Sequence, residues 1–323
     1  MTLPVRNIEG ALVGTMVGDS LGFAVDGSDP APLHHRFPTP DSIRQMGPGR
    51  YGAATEMTIA TAESLVAHPN FDAADMAARL AAEATGARGY GPGTEGAIER
   101  LRAGAPWSEA AAGRAGRACF GNGAAVRMAP VGVRYYDDVD RLRWVAEEAA
   151  AITHSHAHAC EGAVLQAMAV AVAASARGKE VSGESFLLAI GRETHVREFR
   201  TRYEIAASLL ARESDWQRIA DRLGHAQTAL GSVVTAAYCF ARTPASFEDT
   251  VTYAVYLAGN TAAIAAMAAA ISGAHLGIGA IPTRWTEHLE RSAVTIDRLR
   301  DAAHRMGSGP FFNGTTIAVG GDM

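Results

Sequence analysis

Oxygen-bearing side chains are concentrated in two short segments, Thr55-Glu56-Met57-Thr58 and Gly259-Asn260-Thr261-Ala262-Ala263. Each segment opens an apolar stretch with helical spacing, so its successive side chains can turn toward one point in front of the helix. Divalent cations need several oxygen ligands, and two neighbouring cations need several carboxylates to offset their repulsion. Only one acid, Glu56, and one amide, Asn260, stand in these segments. We therefore expect no paired metal ions here.

Two further acids, Asp19 and Asp26, lie near the end of the apolar stretch that opens the chain. Asp26 begins a long loop, from which a general base could reach a substrate. Asp19 follows an apolar stripe and either binds substrate or bonds to a neighbouring turn. Glu56 is either a catalytic carboxylate or an ordinary acid at the positive end of a helix dipole. A single weakly bound Mg²⁺, held by Glu56 with Asp19 or Asp26, is a further alternative, and we expect no other cofactor.

The turn Gly121-Asn122-Gly123 precedes a predicted helix. Glycines let a phosphate approach backbone N–H groups, and the start of a helix favours an anion. The same three residues also form ordinary turns in proteins without ligands. Arg127, one helical turn further on, can pair with a phosphate or with an acid at the edge of the core.

Three histidines at alternate positions, His154, His156 and His158, raise the question of a metal site. In a helix, His154 and His158 would share a face while His156 points elsewhere. Capping and supporting hydrogen bonds explain His154 and His156 without a metal. We expect His154 to assist proton transfer, His156 to contact substrate, and His158 to lie on a helix surface.

Five motifs, in order, resemble the ADP-ribosylglycohydrolase family, also called the dinitrogenase-reductase-activating glycohydrolase family. They are Gly18-Asp19-Ser20-Leu21-Gly22, Thr55 to Thr58, Phe120 to Pro130, Thr153-His154, and Gly259 to Ala263 followed by Ile281-Pro282-x-x-Trp285. In the family the second motif reads Thr-Asp-Asp-Thr and the last reads Gly-Asp-Thr-Asp-Thr. Together these two hold a pair of divalent cations. Three of the four carboxylates are absent here, so the resemblance implies the same scaffold with altered metal chemistry.

The resemblance implies an all-α fold, a single-domain orthogonal helical bundle over residues 1–323, with a cleft shaped for ribose joined to phosphate. Three residues are candidates for catalysis: Glu56, Asp26 and His154. The candidates for substrate binding are Asp19, Thr55, Gly121, Asn122, Gly123, Arg127, His156, Asn260 and Thr261. The aromatic residues Phe23, Tyr51 and Tyr90 lie in or beside loops and could stack on a base, although core packing is the simpler role of Phe23.

Two functions fit these residues. The first is hydrolysis of a ribosyl bond in a nucleotide-linked substrate, such as ADP-ribose or an NAD-derived metabolite, without the paired magnesium ions. A carboxylate would stabilise the oxocarbenium-like state of that reaction and orient water. The second is a catalytically silent relative that binds ADP-ribose-like ligands or a protein partner, because the loss of metal ligands fits that equally well.

Helical spacing recurs along most of the chain. Glycines at positions 10, 14, 18 and 22 predict a smooth stripe on the first helix, on which another helix can lie closely. Caps are predicted at Asp72, Thr94, Ser182 and Ser246. The predicted helices run from Ile8 to Leu21, Thr55 to Val66, Asp72 to Ala84, Thr94 to Arg102, Asp138 to Ile152, Ala157 to Ala174, Ser182 to Gly191, Trp216 to Leu223, Ser232 to Phe240, Phe247 to Ala258 and Thr261 to Ala274.

Two segments, Val131 to Tyr135 and Thr315 to Val319, are rich enough in β-branched residues to predict short extended ribbons. The stretch from Val25 to Ala54 holds five of the 13 prolines, which predicts a long loop with little room for helix. The apolar stretches from Ala159 to Ala174 and from Ala258 to Ile281 are dominated by alanine and glycine. We interpret them as buried helices rather than membrane spans.

Composition excludes several classes of protein. The 323 residues are 48% hydrophobic, enough to bury a large core, and carry a formal net charge of −5 with no basic run. These values argue against a nucleic-acid or membrane partner. The resemblance implies a small-molecule nucleotide or ribosyl substrate. Cys119, Cys160 and Cys239 form no close pair, so we expect a reducing, cytoplasmic setting. The sequence leaves the oligomeric state open.

Overall fold

The computed structural model describes residues 2–112, 119–212 and 214–308. Regular structure in these residues is helical, apart from an isolated antiparallel bridge between Gly121 and Thr228, which confirms the all-α prediction. The α-helices are α1 Val5–Phe23, α2 Pro30–Arg36, α3 Pro40–Ile43, α4 Ala53–Ala67, α5 Ala73–Glu83, α6 Pro92–Arg102, α7 Trp107–Ala110, α8 Ala129–Arg134, α9 Val139–Ala151, α10 Ala157–Ser175, α11 Gly183–Glu193, α12 Arg197–Ala211, α13 Trp216–Leu223, α14 Ala229–Arg242, α15 Phe247–Tyr256, α16 Thr261–Leu276, α17 Thr283–Thr286 and α18 Ile296–Ser308.

Helices α1 and α16 form the most extensive helix pair, and they run antiparallel. A Cβ placed on Gly10 would lie 2.3 Å from the carbonyl oxygen of Gly273, and one on Gly18 would lie 2.2 Å from that of Ala265. Any larger side chain would therefore force the two backbones apart, which explains the glycine at every fourth position of α1. This contact brings the C-terminal end of α1 beside the N-terminal end of α16.

The core is one continuous apolar cluster that includes residues from α1 through α18. Helices α10 and α16 lie deep within it, and their alanine-rich sequences allow close approach on all sides. Among the described helices only α10 is long and apolar enough to cross a membrane, and 83% of its apolar window is buried inside the protein. The prediction that both stretches are buried helices is confirmed, while the single-domain boundary of residues 1–323 stays a prediction.

Three expectations about local structure are wrong. Val131 to Tyr135 belongs largely to α8 and forms no ribbon, because close packing against α10 overrides the β-branched propensity. A Cβ on Gly132 would lie 2.6 Å from the carbonyl oxygen of Ala167, which shows how close this contact is. Thr94 does not cap α6, which begins at Pro92 after Gly91. The second predicted ribbon, Thr315 to Val319, falls outside the described residues.

The third wrong expectation concerns the stretch from Val25 to Ala54, which contains α2 and α3. Pro30 and Pro40 stand in the first turn of these helices, where proline fits because its missing N–H is not needed. Helices α12 and α18 were not anticipated from the sequence. The caps at Asp72, Ser182 and Ser246 are confirmed, since each side chain accepts a backbone hydrogen bond at its helix start.

Candidate functional site

A cavity of about 630 Å³ opens where the C-terminal end of α1 meets the N-terminal ends of α4 and α16. The turn 121–123 and the loop before α14 close its other sides. Its described lining includes two carboxylates, Asp19 and Asp26, together with His154. The glycine contact between α1 and α16 thus positions the acids of one helix end beside the backbone N–H groups of another.

Asp19 is almost completely buried, with 1% of its surface exposed. One carboxylate oxygen, Oδ2, accepts hydrogen bonds from the backbone N–H of Gly52 at 2.9 Å and from the N–H and hydroxyl of Thr55 at 2.9 and 2.6 Å. The other oxygen, Oδ1, is buried without a partner. Burial outweighs the hydrogen bonds and raises the pKa of Asp19 from 3.8 to about 7. Asp19 therefore lines the cavity with one buried oxygen that has no hydrogen-bond partner, and its pKa lies near neutral pH.

Asp26 lies beyond the end of α1 and binds the N-terminal end of α16. Its Oδ1 accepts hydrogen bonds from the backbone N–H of Ala262 at 3.1 Å and from the amide of Asn260 at 3.2 Å. The Thr261 hydroxyl is 3.4 Å away, although its shorter bond, at 2.7 Å, goes to the carbonyl oxygen of Gly22. Partial burial raises the pKa of Asp26 above its ordinary value, against the effect of these donors.

Glu56 does not line this cavity, contrary to the expectation that it faces the cleft. Its side chain is fully buried on the other side of the N-terminal end of α4. Its carboxylate accepts hydrogen bonds from the backbone N–H and hydroxyl of Thr85 and from the hydroxyl of Tyr90, and it lies 3.5 Å from the guanidinium of Arg88. These bonds hold the segment after α5 against α4, so the geometry gives Glu56 a structural role.

His154 and Arg127 belong to one buried chain of hydrogen bonds. Arg127 donates to the Thr153 hydroxyl at 2.9 Å, and that hydroxyl lies 2.7 Å from Nδ1 of His154. A hydroxyl that accepts from arginine is free to donate to Nδ1, which leaves the proton of the imidazole on Nε2. Nε2 is buried without a partner beside the cavity. Burial, followed by the charge of Arg127, lowers the pKa of His154 to about 3, so its Nε2–H is a neutral donor.

Arg127 itself is not available to a phosphate. Its guanidinium is fully buried and donates to the carbonyl oxygens of Gly123 and Ala149 as well as to Thr153. His156 is also turned away from the cavity lining, because its Nδ1 accepts the backbone N–H of His158 and caps α10. Both were predicted substrate contacts, and the structure gives them supporting roles.

The turn 121–123 lines the cavity, and its contact with a phosphate stays a prediction. The backbone N–H of Asn122 donates to the carbonyl oxygen of Gln227, and its side-chain amide donates to Ser232 at 3.0 Å and to Asn260 at 2.7 Å. Asn122 therefore ties this turn to the start of α16. A Cβ on Gly123 would lie 2.3 Å from the hydroxyl of Thr94, so this position has no room for a side chain.

Of the predicted site residues, Asp19, Asp26, Gly121, Asn122, Gly123, His154 and Asn260 line the cavity, while Glu56, Thr55, Arg127, His156 and Thr261 do not. Thr55 and Thr261 instead bond to Asp19 and to the backbone of α1. The lining also includes residues that the sequence analysis did not propose as site residues: Met57, Arg88, Cys119, Phe120, Val126 and Gln227. Met57, Phe120 and Val126 lie within the motifs of the family resemblance, and Phe120 is 55% exposed beside the glycine turn, which are signals that could have found them.

The three aromatic residues predicted as stacking candidates also differ in whether they line the cavity. Phe23 lines the cavity, whereas Tyr51 is fully buried and its hydroxyl lies 2.7 Å from that of Ser292. Tyr90 donates its hydroxyl to Glu56 at 2.7 Å. Only Phe23 of the three is therefore placed to contact a ligand in this cavity.

The side chains at the two motifs do not match the ligands that a pair of divalent cations requires. Met57, Ala262 and Ala263 supply no oxygen, and the side-chain oxygen of Asn260 already accepts the amide of Asn122. Within residues 2–112, 119–212 and 214–308, no group of three or more histidine, cysteine or acidic side chains could hold a metal ion. The wall at this place is instead apolar, formed by α4 and α16.

Comparisons with known proteins agree with this architecture. The family model described as ADP-ribosylglycohydrolase matches residues 2–311. The ADP-ribosylhydrolase ARH3 of Danio rerio is 30% identical to this chain, and the alignment covers 94% of this chain and 90% of that protein. The Homo sapiens ARH3 is 29% identical, and the alignment covers 94% of each chain.

A solved structure described as "ADP-ribosylglycohydrolase-related protein complex" has the same fold. Its TM-score is 0.66 at 26% sequence identity, and the match covers 94% of this chain and 97% of that one. The family match spans every element that lines the cavity, including both altered motifs. The chain therefore belongs to the ADP-ribosylglycohydrolase family.

Proposed function

We propose that this protein is a hydrolase that cleaves a ribosyl bond of an ADP-ribose-like nucleotide substrate without a pair of divalent cations. Membership of the family and the likeness to the ARH3 proteins support hydrolysis of an ADP-ribosyl compound. The single observation that carries the metal-free part is the uncommitted, buried Oδ1 of Asp19 in the cavity wall.

Asp19 is the general base of the proposed reaction. A base works best when its pKa lies near the pH at which it operates, and burial raises the pKa of Asp19 to about 7. Asp26 lies across the end of α1, where its negative charge stabilises the positive charge that develops on the ribose. The bond from C1′ to the leaving group breaks with its electron pair on the leaving group, and an oxocarbenium-like state forms at C1′. Water adds to C1′ while Asp19 accepts its proton, and Asp19 then passes this proton to the departing group or to solvent.

His154 serves as a fixed hydrogen-bond donor. With its pKa lowered to about 3, the imidazole stays neutral and cannot deliver a proton to a leaving group near neutral pH. Its Nε2–H is already oriented by Thr153, so it can bond to a substrate oxygen without losing conformational freedom. In this arrangement His154 positions the substrate, whereas Asp19 transfers the proton.

A silent relative that binds ADP-ribose-like ligands is the second candidate, and the apolar side chains in the two motifs favour it. One experiment distinguishes the hydrolase from the silent relative. ADP-ribosylated peptides and small ADP-ribosyl compounds are incubated with the wild type and with Asp19→Asn and Asp26→Asn, with and without EDTA. We expect EDTA-resistant release of ADP-ribose that falls about 100-fold or more in each variant.

Binding by calorimetry without release of ADP-ribose from any compound would favour the silent relative. Release that is abolished by EDTA and restored by Mg²⁺ would refute the metal-free reaction and indicate that a cation is bound by other groups. Release that survives both aspartate substitutions would refute the assigned residues.

A further inference from the structure

The charges that line the cavity favour a particular kind of substrate. Asp19 and Asp26 are its two acids, and Arg88 is the only basic side chain among the described residues of its lining. Arg88 is already committed, because its guanidinium donates to Glu290 at 2.6 and 3.1 Å and to the carbonyl oxygen of Tyr51 at 3.0 Å. Among the described lining residues, no free cationic side chain is therefore placed to neutralise the two carboxylates.

An apolar wall lies between these two acids. Asp19 bonds to the N-terminal end of α4 through Thr55, and Asp26 bonds to that of α16 through Ala262. Met57 and Ala263 follow on these same two helix starts, and both line the cavity. Where a pair of dications would need oxygen atoms, the two helix starts offer the apolar side chains of Met57, Ala262 and Ala263, and each helix start is bonded to one of the two carboxylates.

We propose that this subsite holds a positively charged heteroaromatic ring attached to the ribose of a nucleotide. The proposal rests on the hydrolase function proposed above and names its substrate class. An aromatic cation can lie on Met57, Ala262 and Ala263 while its charge faces Asp19 and Asp26. The buried Oδ1 of Asp19 and Nε2 of His154, both without partners, are two polar atoms that await a ligand in the same cavity.

The proposed leaving group also fits the chemistry of the wall. The described lining residues supply a base, Asp19, and a neutral donor, His154, but no free cationic side chain that could stabilise a departing alkoxide or amide anion. A ring nitrogen that carries a positive charge needs no such help. The bond from C1′ to nitrogen breaks, and its electron pair stays on the ring, which departs as a neutral base. Water adds to C1′, and its proton passes to the carboxylate of Asp19, so charge is conserved.

A matched pair of ligands tests the proposal. Oxidised nicotinamide mononucleotide carries a pyridinium cation, whereas its 1,4-dihydro form has nearly the same shape without the ring charge. We expect calorimetry at pH 8 to show about tenfold tighter binding of the oxidised form to the wild type. Asp19→Asn and Asp26→Asn should each reduce this preference toward equal affinity while the melting temperature shows that the fold is kept.

Equal affinities for the two forms in the wild type, or tighter binding of the dihydro form, would overturn the proposal. Ribose 5-phosphate, which is the mononucleotide without the ring at C1′, is the second control, and binding as tight as that of the oxidised mononucleotide would also overturn it. Turnover is measured separately as release of the free base. Preference for the cation without turnover would refute the hydrolase function but keep this subsite, and turnover of ADP-ribosyl compounds without preference would do the reverse.

Discussion

Replacing Asp19 by asparagine should make the protein more stable at pH 8 while it removes the proposed general base. Burial raises the pKa of Asp19 from its ordinary 3.8 to about 7. At about 1.4 kcal/mol per pH unit, the interval between these values corresponds to about 4 kcal/mol of folding free energy. Because the folded protein binds this proton more tightly than the unfolded chain, the contribution is intact below pH 4, declines as the pH rises to 7, and is lost above it.

Asparagine carries no charge at any of these pH values. Its side-chain oxygen can accept the bonds from Gly52 and Thr55 that Oδ2 of Asp19 accepts now. Its NH₂ group then takes the place of Oδ1, which has no partner in the wall. We expect the free energy of unfolding of Asp19→Asn to exceed that of the wild type by about 2–4 kcal/mol at pH 8, which corresponds to about 3–6 °C in melting temperature. At pH 5 the expected difference is about 1–2 kcal/mol.

The assay is thermal and urea unfolding of both proteins from pH 5 to pH 8. Asp26→Asn is the matched control, since Asp26 is more exposed and should change the pH dependence of stability much less. The reasoning is refuted if Asp19→Asn is less stable than the wild type at pH 8 and retains the same slope of stability against pH. A gain in stability with a loss of activity is typical of a residue held in a strained environment for function.

Three further substitutions and one metal treatment test separate parts of the site. Gly121→Ala should weaken nucleotide binding at an unchanged melting temperature, because the nearest atom to the new Cβ would be at 3.5 Å, an ordinary contact distance. Gly123→Ala should lower the melting temperature, because its Cβ would lie 2.3 Å from the hydroxyl of Thr94. Glu56→Gln should lower the free energy of unfolding by about 1–3 kcal/mol, because the charge beside Arg88 is lost. The rate of hydrolysis should stay within about twofold of the wild type, and a loss of about 100-fold would return Glu56 to the catalytic candidates. Mn²⁺ should not raise the melting temperature of the wild type. Two ions within about 4 Å after a manganese soak would contradict the proposal that this wall holds a cationic aromatic ring instead of metal ions.

Local sequence determined the scaffold. A helix places every fourth residue on one face, so the glycines of α1 predicted a close helix contact, and the structure shows it with α16. Helix caps such as Asp72 and Ser246 also follow from neighbours within a single turn. The five motifs then identified the family, because their order along the chain is a property of the sequence alone.

Tertiary structure decided which polar groups face the cavity. Glu56 and Thr55 are adjacent at the start of α4, yet Glu56 bonds to Thr85 and Tyr90, while Thr55 bonds to Asp19. Those partners lie about 30 or more residues away in the sequence, so the spacing within the motif contained no information about them. A buried carboxylate is held wherever it finds donors, because leaving it unpaired in the core is costly. The sequence therefore predicted which helix ends meet, and only their packing showed that one oxygen of Asp19 has no hydrogen-bond partner.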